Sequence, residues 1–342
     1  MRTRRHQSFF ASQPNYQRMF SFALFSLITM LSGCTSLEVW LKMKTPLASI
    51  QITSASLTLR SGPGIVPGKT DQLVVAVTQP NGEVLRAAGL GDGKIMWNEL
   101  VITSSVVTVN AHGKVSLTDD PRISDGKVGH ITVTIPSHPD LRADLDIPIR
   151  YNTKFTVDFS GNRGTDGMSG SDGMDGSMGS SGSSDPNNPS AGGDGGNGTN
   201  GSDGHDGSNG SDAPPVDIRV AYRMNTKPLL QIEVIANKQR RFFLIEPNGG
   251  SLFVEANGGR AGSGGRGGRG GRGGMAGNGS PNGLSGGDGR NGSDGSDGHN
   301  GRGGLITVTY DLAAKPYLNV IHLSSWNGPK PVFVESHVEP LW

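Results

Sequence analysis

Glycine at every third position constrains this chain more than any other feature. From Gly259 to Gly304, stepping by three, every position is glycine except Ser280. A second stretch keeps the same period from Gly161 to Gly182, then from Gly192 to Gly210 after a shift of one residue. These stretches hold most of the chain's 54 glycines, so the remainder is ordinary in composition. Glycine at this spacing suits an extended helix of three residues per turn, rising about 3.1 Å per residue. Such a helix makes no internal hydrogen bonds. Only a residue without Cβ lets a neighbouring helix come close enough to satisfy its backbone.

Each stretch is broken once, at 183–191 and at Ser280-Pro281-Asn282, and the three prolines within the inserts (Pro186, Pro189, Pro281) fall in those breaks. The pieces Gly161–Gly182, Gly192–Gly210, Gly259–Gly279 and Gly283–Gly304 are matched in length. Each would form a rod of roughly 60 Å. Strand patterns flank both stretches: Lys154–Phe159 leads in and Val216–Arg223 follows, then Ser251–Ala256 leads in and Leu305–Tyr310 follows. The stretches at 161–210 and 258–304 are therefore expected as two long hairpin inserts in one β-domain. The structural glycines of this reading are Gly161, Gly164, Gly167, Gly170, Gly173 and Gly176, with Gly259, Gly262, Gly265, Gly268, Gly271 and Gly274.

With three residues per turn, each triplet position forms one straight edge of a rod. Asp occupies third positions (Asp166, Asp172, Asp175, Asp194, Asp203, Asp206, Asp288, Asp294, Asp297), and the arginines of the second insert occupy second positions. This places Arg266, Arg269 and Arg272 in one line, a candidate binding stripe facing an acidic edge or solvent. A collagen triple helix uses abundant proline, which the rods lack. The reading favoured here is an intrachain bundle of polyglycine II type. Intermolecular trimers and disordered loops are the alternatives. By repeat type the rods resemble the polyglycine II bundles of some phage adhesins and of a glycine-rich antifreeze protein.

Before the inserts, short alternating runs separated by turn residues predict strands at Ser56–Arg60, Gln72–Thr78, Glu83–Arg86, Ile95–Trp97, Val106–Asn110, Lys114–Leu117, His130–Ile135 and Asp144–Ile149. Val106 to Val115, followed by Gly129-His130-Ile131-Thr132-Val133-Thr134-Ile135, resembles bacterial Ig-like domains of group 2. That resemblance implies a β-sandwich used as a spacer or adhesion module. Asp119-Asp120-Pro121-Arg122 departs from its compact pattern. After the first insert, strands are expected at Leu229–Ala236, Tyr317–Leu323 and Pro331–Glu335, and Arg241–Glu246 is expected to form a hairpin with Ser251–Ala256.

At the start, Arg2, Arg4, Arg5 and Arg18 precede an apolar run from Phe20 to Leu31, which is too short to span a bilayer. It ends in Leu31-Ser32-Gly33-Cys34, and Cys34 is the chain's only cysteine. The tetrapeptide resembles a bacterial lipobox. That resemblance implies cleavage between Gly33 and Cys34, acylation of Cys34 and, with Thr35 next, sorting to the outer membrane, facing the periplasm or outward. Acyl chains anchor at about 0.8 kcal/mol per buried methylene.

The expected order is signal peptide 1–33, anchor and linker 34–50, Ig-like sandwich 51–150, and β-domain 151–342 with the inserts, all-β throughout. No nucleophile elbow, metalloprotease or phosphate-loop motif occurs. No enzyme, cofactor or metal is expected. A net charge of +1 excludes a bulk field toward nucleic acid. The Gly-Gly-Arg triplets look like RNA-binding segments but lack aromatics. His205 and His299 read as solvated side chains. The functional expectation is a lipid-anchored adhesion or display protein, monomeric, with a surface polysaccharide or protein as partner. Collagen-like intermolecular assembly and a calcium- or ligand-binding glycine module are the alternatives. Cys34→Ala should abolish incorporation of labelled palmitate and leave the precursor uncleaved, as read by gel mobility and mass spectrometry.

Overall fold

The computed structural model describes residues 44–89, 93–224 and 227–342. The signal peptide and Cys34 lie outside the described residues. Among these residues the chain is all-β: it has sixteen strands, and its longest helix is the 3-10 helix Leu312–Val320. It divides into two compact units, one built from residues up to Asp119 with Gly126–Ile149, the other from Asp120–Asp125 with Arg150–Trp342.

The first unit contains β1 (Ser54–Leu59), β2 (Thr70–Thr78), β3 (Val84–Ala88), β4 (Val101–Ser105), β5 (Thr108–Val109), β6 (Lys114–Ser116), β7 (Gly129–Ile135) and β8 (His138–Ile147). One antiparallel sheet runs β1-β2-β6-β5 with β3 also on β2, and a second runs β4-β7-β8. Alternation along β2 buries Leu73, Val75 and Val77, which share one apolar cluster with Ile131, Val133 and Ile147 of the other sheet.

Three sequence expectations change here. Ile95–Trp97 is not a strand: Trp97 opens a 3-10 turn, Trp97–Glu99, and its Nε1 donates to the Gly89 carbonyl at 2.9 Å. The strand expected at Val106–Asn110 shrinks to β5, because Val106 sits at φ 66, outside strand geometry. β4 was not anticipated, since its residues are largely exposed and show little apolar alternation. The Asp119–Arg122 departure holds α1 (Pro121–Ser124), capped by the Asp120 side chain, which accepts the Arg122 N–H.

The second unit contains β9 (Lys154–Asp158), β10 (Val216–Met224), β11 (Pro228–Ala236), β12 (Gln239–Ile245), β13 (Ser251–Glu255), β14 (Ile306–Tyr310), β15 (Ile321–Ser324) and β16 (Val332–Glu335). One sheet runs β12-β11-β10-β14-β16 and the other β15-β13-β9. Val157, Leu252, Val254 and Ile321 of the smaller sheet join Val216, Ile218, Val220, Ile306 and Val308 of the larger in one buried cluster. The expected hairpin of Arg241–Glu246 with Ser251–Ala256 does not form. β12 pairs with β11, and the turn containing Gly249 (φ 92) carries the chain to the other sheet, where β13 lies between β9 and β15. The run Tyr317–Leu323 is divided between the 3-10 helix, whose N-cap Asp311 accepts the Ala313 N–H, and β15.

The strands that lead into the glycine stretches, β9 and β13, are parallel neighbours, with Lys154 opposite Ser251. Those that receive them, β10 and β14, are also parallel neighbours, with Val216 opposite Ile306. The unit is thus strand, glycine hairpin, strand, used twice, with both copies sharing the same two sheets. Leu252 is fully buried between them, so Leu252→Ala should cost about 2–5 kcal/mol. In a denaturant melt, the transition of this unit and the glycine signal should move together.

Candidate functional site

The four glycine segments, Gly161–Gly182 (segment 1), Gly192–Gly210 (segment 2), Gly259–Gly279 (segment 3) and Gly283–Gly304 (segment 4), are hydrogen-bonded to one another along their lengths. From Gly164 onward, each triplet glycine of segment 1 donates its N–H to a second-position carbonyl of segment 3, as Gly170 to Arg266 and Gly173 to Arg269, both at 2.7 Å. Segment 3 glycines donate to segment 2, as Gly268 to Ser202 at 2.8 Å. Segment 4 glycines donate to segment 3, as Gly292 to Gly268 at 2.8 Å. Segment 2 donates from two positions per triplet, as Gly201 to Arg290 at 2.9 Å and Ser202 to Ser171 at 2.9 Å. Segments 2 and 3 therefore each bond three neighbours and form the centre, with segments 1 and 4 at opposite corners. Segment 3's triplet glycines are buried, and a Cβ built on Gly268 would lie 1.9 Å from the Ser171 carbonyl oxygen. Only glycine fits there.

The third-position acids have a role that the sequence reading missed. Their side chains are backbone caps. In segment 2 and the triplet that follows it, the Oδ1 atoms of Asp194, Asn197, Asn200, Asp203, Asp206, Asn209 and Asp212 each accept the N–H of a second-position residue of segment 4, at 2.7–2.8 Å. In segment 4, Asp288, Asn291, Asp294, Asp297 and Asn300 accept the N–H groups of third-position residues of segment 3. Asp166, Asp172 and Asp175 of segment 1 accept those of Ser263, Arg269 and Arg272. Asp and Asn interchange because the bond needs only an acceptor oxygen on a short side chain. The signal was present in the sequence: Asn shares the third positions with Asp, which a charge-based reading passes over.

The pairing offset is common to sheet and segments. Lys154 pairs with Ser251 in the sheet, and the segment 1 caps span the same separation of 97 residues. Val216 pairs with Ile306, and the segment 2 caps span 90 residues, again as in the sheet. Strand pairing thus sets the register of the bundle.

Arg260, Arg266, Arg269 and Arg272 stand exposed on segment 3, and among the described residues none forms an ion pair. Asp172 and Asp175 lie beside the stripe, each with Oδ1 turned to the main chain. At its base, a cavity of about 210 Å³ is lined by Asn257, Gly258, Arg260, Ser324 and Trp326. The Arg260 guanidinium is 6.0 Å from the indole centroid. Asn257 Oδ1 accepts from Ser324 Oγ at 2.7 Å and from the Trp326 N–H at 2.8 Å. His205 and His299 are exposed and are held through their backbone N–H groups. No group of three potential metal ligands occurs among the described residues.

The Ser263 N–H, and then Arg163, hold the Asp166 carboxyl below its ordinary value of 3.8. Its contribution to stability is present above that value and lost as pH falls through the lower folded-state value. Acid should therefore weaken the Asp166 cap only below the normal Asp range, as read by comparing pH-dependent melts of the wild type and Asp166→Asn. Gly268→Ala should destabilise the bundle by about 1–3 kcal/mol through overpacking. Asn200→Ala should cost about 1 kcal/mol and Asn200→Asp much less, as measured by thermal denaturation. Comparison of this chain with family models, with curated proteins and with solved structures finds no match.

Proposed function

We propose that this chain is a lipid-anchored protein of the bacterial envelope, sorted to the outer membrane, whose non-catalytic task is adhesion or display. In this reading acylated Cys34 ties the chain to the membrane and the first unit is an Ig-like spacer. The second unit presents the four glycine segments as a stiff polyglycine II-type bundle. The observation that carries the reading is the unbroken three-residue ladder of main-chain bonds within one chain, anchored in register by two β-sheets. A segment bonded on two or three sides keeps its shape away from the sheets, as a presenting element requires. Tips at 183–191 and 280–282 and the charged edges are the surfaces on offer.

Support for a monomer comes from the same ladder. The glycine N–H groups that a collagen-like trimer would use are already bonded inside the chain. The third-position oxygens that a calcium ion would seek accept main-chain N–H groups instead. No helix among the described residues is long and apolar enough to cross a membrane.

Circular dichroism with light scattering on the chain from Thr35 onward tests this. A polyproline II-type signal that melts cooperatively from a monomer, and is unchanged by a chelator, is expected. A trimer, or rapid proteolysis within the glycine segments, would overturn the reading.

A further inference from the structure

The arginine edge of segment 3 starts at a pocket of unusual chemistry. Its lining contains no carboxylate. Asn257 Oδ1 is consumed by Ser324 and Trp326, the Arg260 guanidinium stands over the indole at 6.0 Å without an ion pair, and nothing among the described residues bonds Asn257 Nδ2 or Trp326 Nε1. Polar side chains and one cation thus line a small cavity beside a half-exposed indole. An aromatic face with donors around it suits a sugar ring bearing an acid group, with the ring on the indole and the acid on the guanidinium.

From this pocket the second-position edge of segment 3 runs straight outward through Arg260, Ser263, Arg266, Arg269 and Arg272. Successive triplets are about 9 Å apart, so Arg260 and Arg272 are separated by roughly 37 Å. All four arginines are exposed and lack ion pairs among the described residues, and the main chain beneath them is fixed by bonds to segments 1, 2 and 4. The cations are thus pre-spaced on a rigid line, which lowers the ordering cost of binding a long ligand.

We propose that Trp326, Arg260 and the Arg266–Arg269–Arg272 line form a binding track for a linear acidic polysaccharide. The charge spacing selects the class. Duplex nucleic acid carries one charge per roughly 1.7 Å of axis, far denser than the track. Asp166, Asp172 and Asp175 flank the arginines and repel so dense a polyanion. A glycan with one acid group per repeat can set each acid at an arginine and run its uncharged portions past the carboxylates. No aromatic residue lies along the segment for bases to stack on. The inference rests on the bundle being an ordered display element.

The test uses the purified full chain in detergent, titrated onto immobilised hyaluronan, which carries one carboxylate per disaccharide, with dextran as the uncharged glycan and duplex DNA as the dense polyanion. Hyaluronan should bind, dextran should not, and binding should weaken on the order of tenfold from low to high salt. Replacing the three line arginines together (Arg266→Ser, Arg269→Ser, Arg272→Ser) should weaken binding about tenfold or more, because serine already occupies that edge at Ser263. Trp326→Ala should weaken it several-fold. Both variants should keep the wild-type dichroism and melting temperature. Unchanged affinity in both variants, or duplex DNA bound as tightly as hyaluronan, would overturn the track. Absence of binding with the bundle's dichroism intact also overturns it and leaves the display reading standing. Loss of that signal in the wild-type chain overturns both.

Discussion

A three-residue-per-turn extended helix cannot satisfy its own backbone, and the second unit is organised around that fact. Every N–H and C=O of a glycine segment points sideways, so each must find water, another segment or a side chain. Two segments per hairpin are too few to do this. Two hairpins side by side place segments 2 and 3 in the middle, each bonded to three neighbours. Glycine at the triplet position is the geometric condition for this arrangement, since the facing carbonyl of Ser171 occupies the place a Gly268 side chain would need. Glycine also carries the largest backbone entropy loss on ordering, so the ladder must be nearly complete to hold.

Completing it at the outer edges falls to Asp and Asn. Where no further segment is present to accept an N–H, a short side chain from the adjacent segment supplies the oxygen, as Asp203 does for Ser293 and Asp294 for Gly267. The bundle thereby closes its own edges, as edge charges and bulges do for a β-sheet. Acidity that reads in the sequence as a binding feature is therefore largely structural. The arginines are the reverse case. Their main-chain groups serve the ladder, while their side chains take no part in it.

The two sheets supply what the glycine repeat cannot. A strict triplet has no information about register, because sliding by three residues restores the same pattern. Strand pairing breaks that degeneracy: β9 with β13 and β10 with β14 hold offsets that continue unchanged into the caps of the segments. Apolar burial around Leu252, Val254 and Ile306 thus controls the alignment of chain far from the core.

By itself the sequence determined the period, the matched lengths, the turns, the flanking strands and the all-β class, because each follows from local spacing and side-chain pattern. It also determined the line of Arg266, Arg269 and Arg272, which any three-residue helix imposes. Tertiary structure alone decided which strands became neighbours. The run 251–256 gave no local sign that it would leave β12 and pair in parallel with β9, since parallel partners are joined by distant chain. It decided too that Trp97 and residues 317–320 would not be in strands, through the Trp97 bond to Gly89 and the 3-10 helix that Asp311 caps. Above all it decided the meaning of the third-position acids. Whether an aspartate faces solvent or caps a neighbour's N–H depends on which segment lies beside it, and that is a property of the assembled chain.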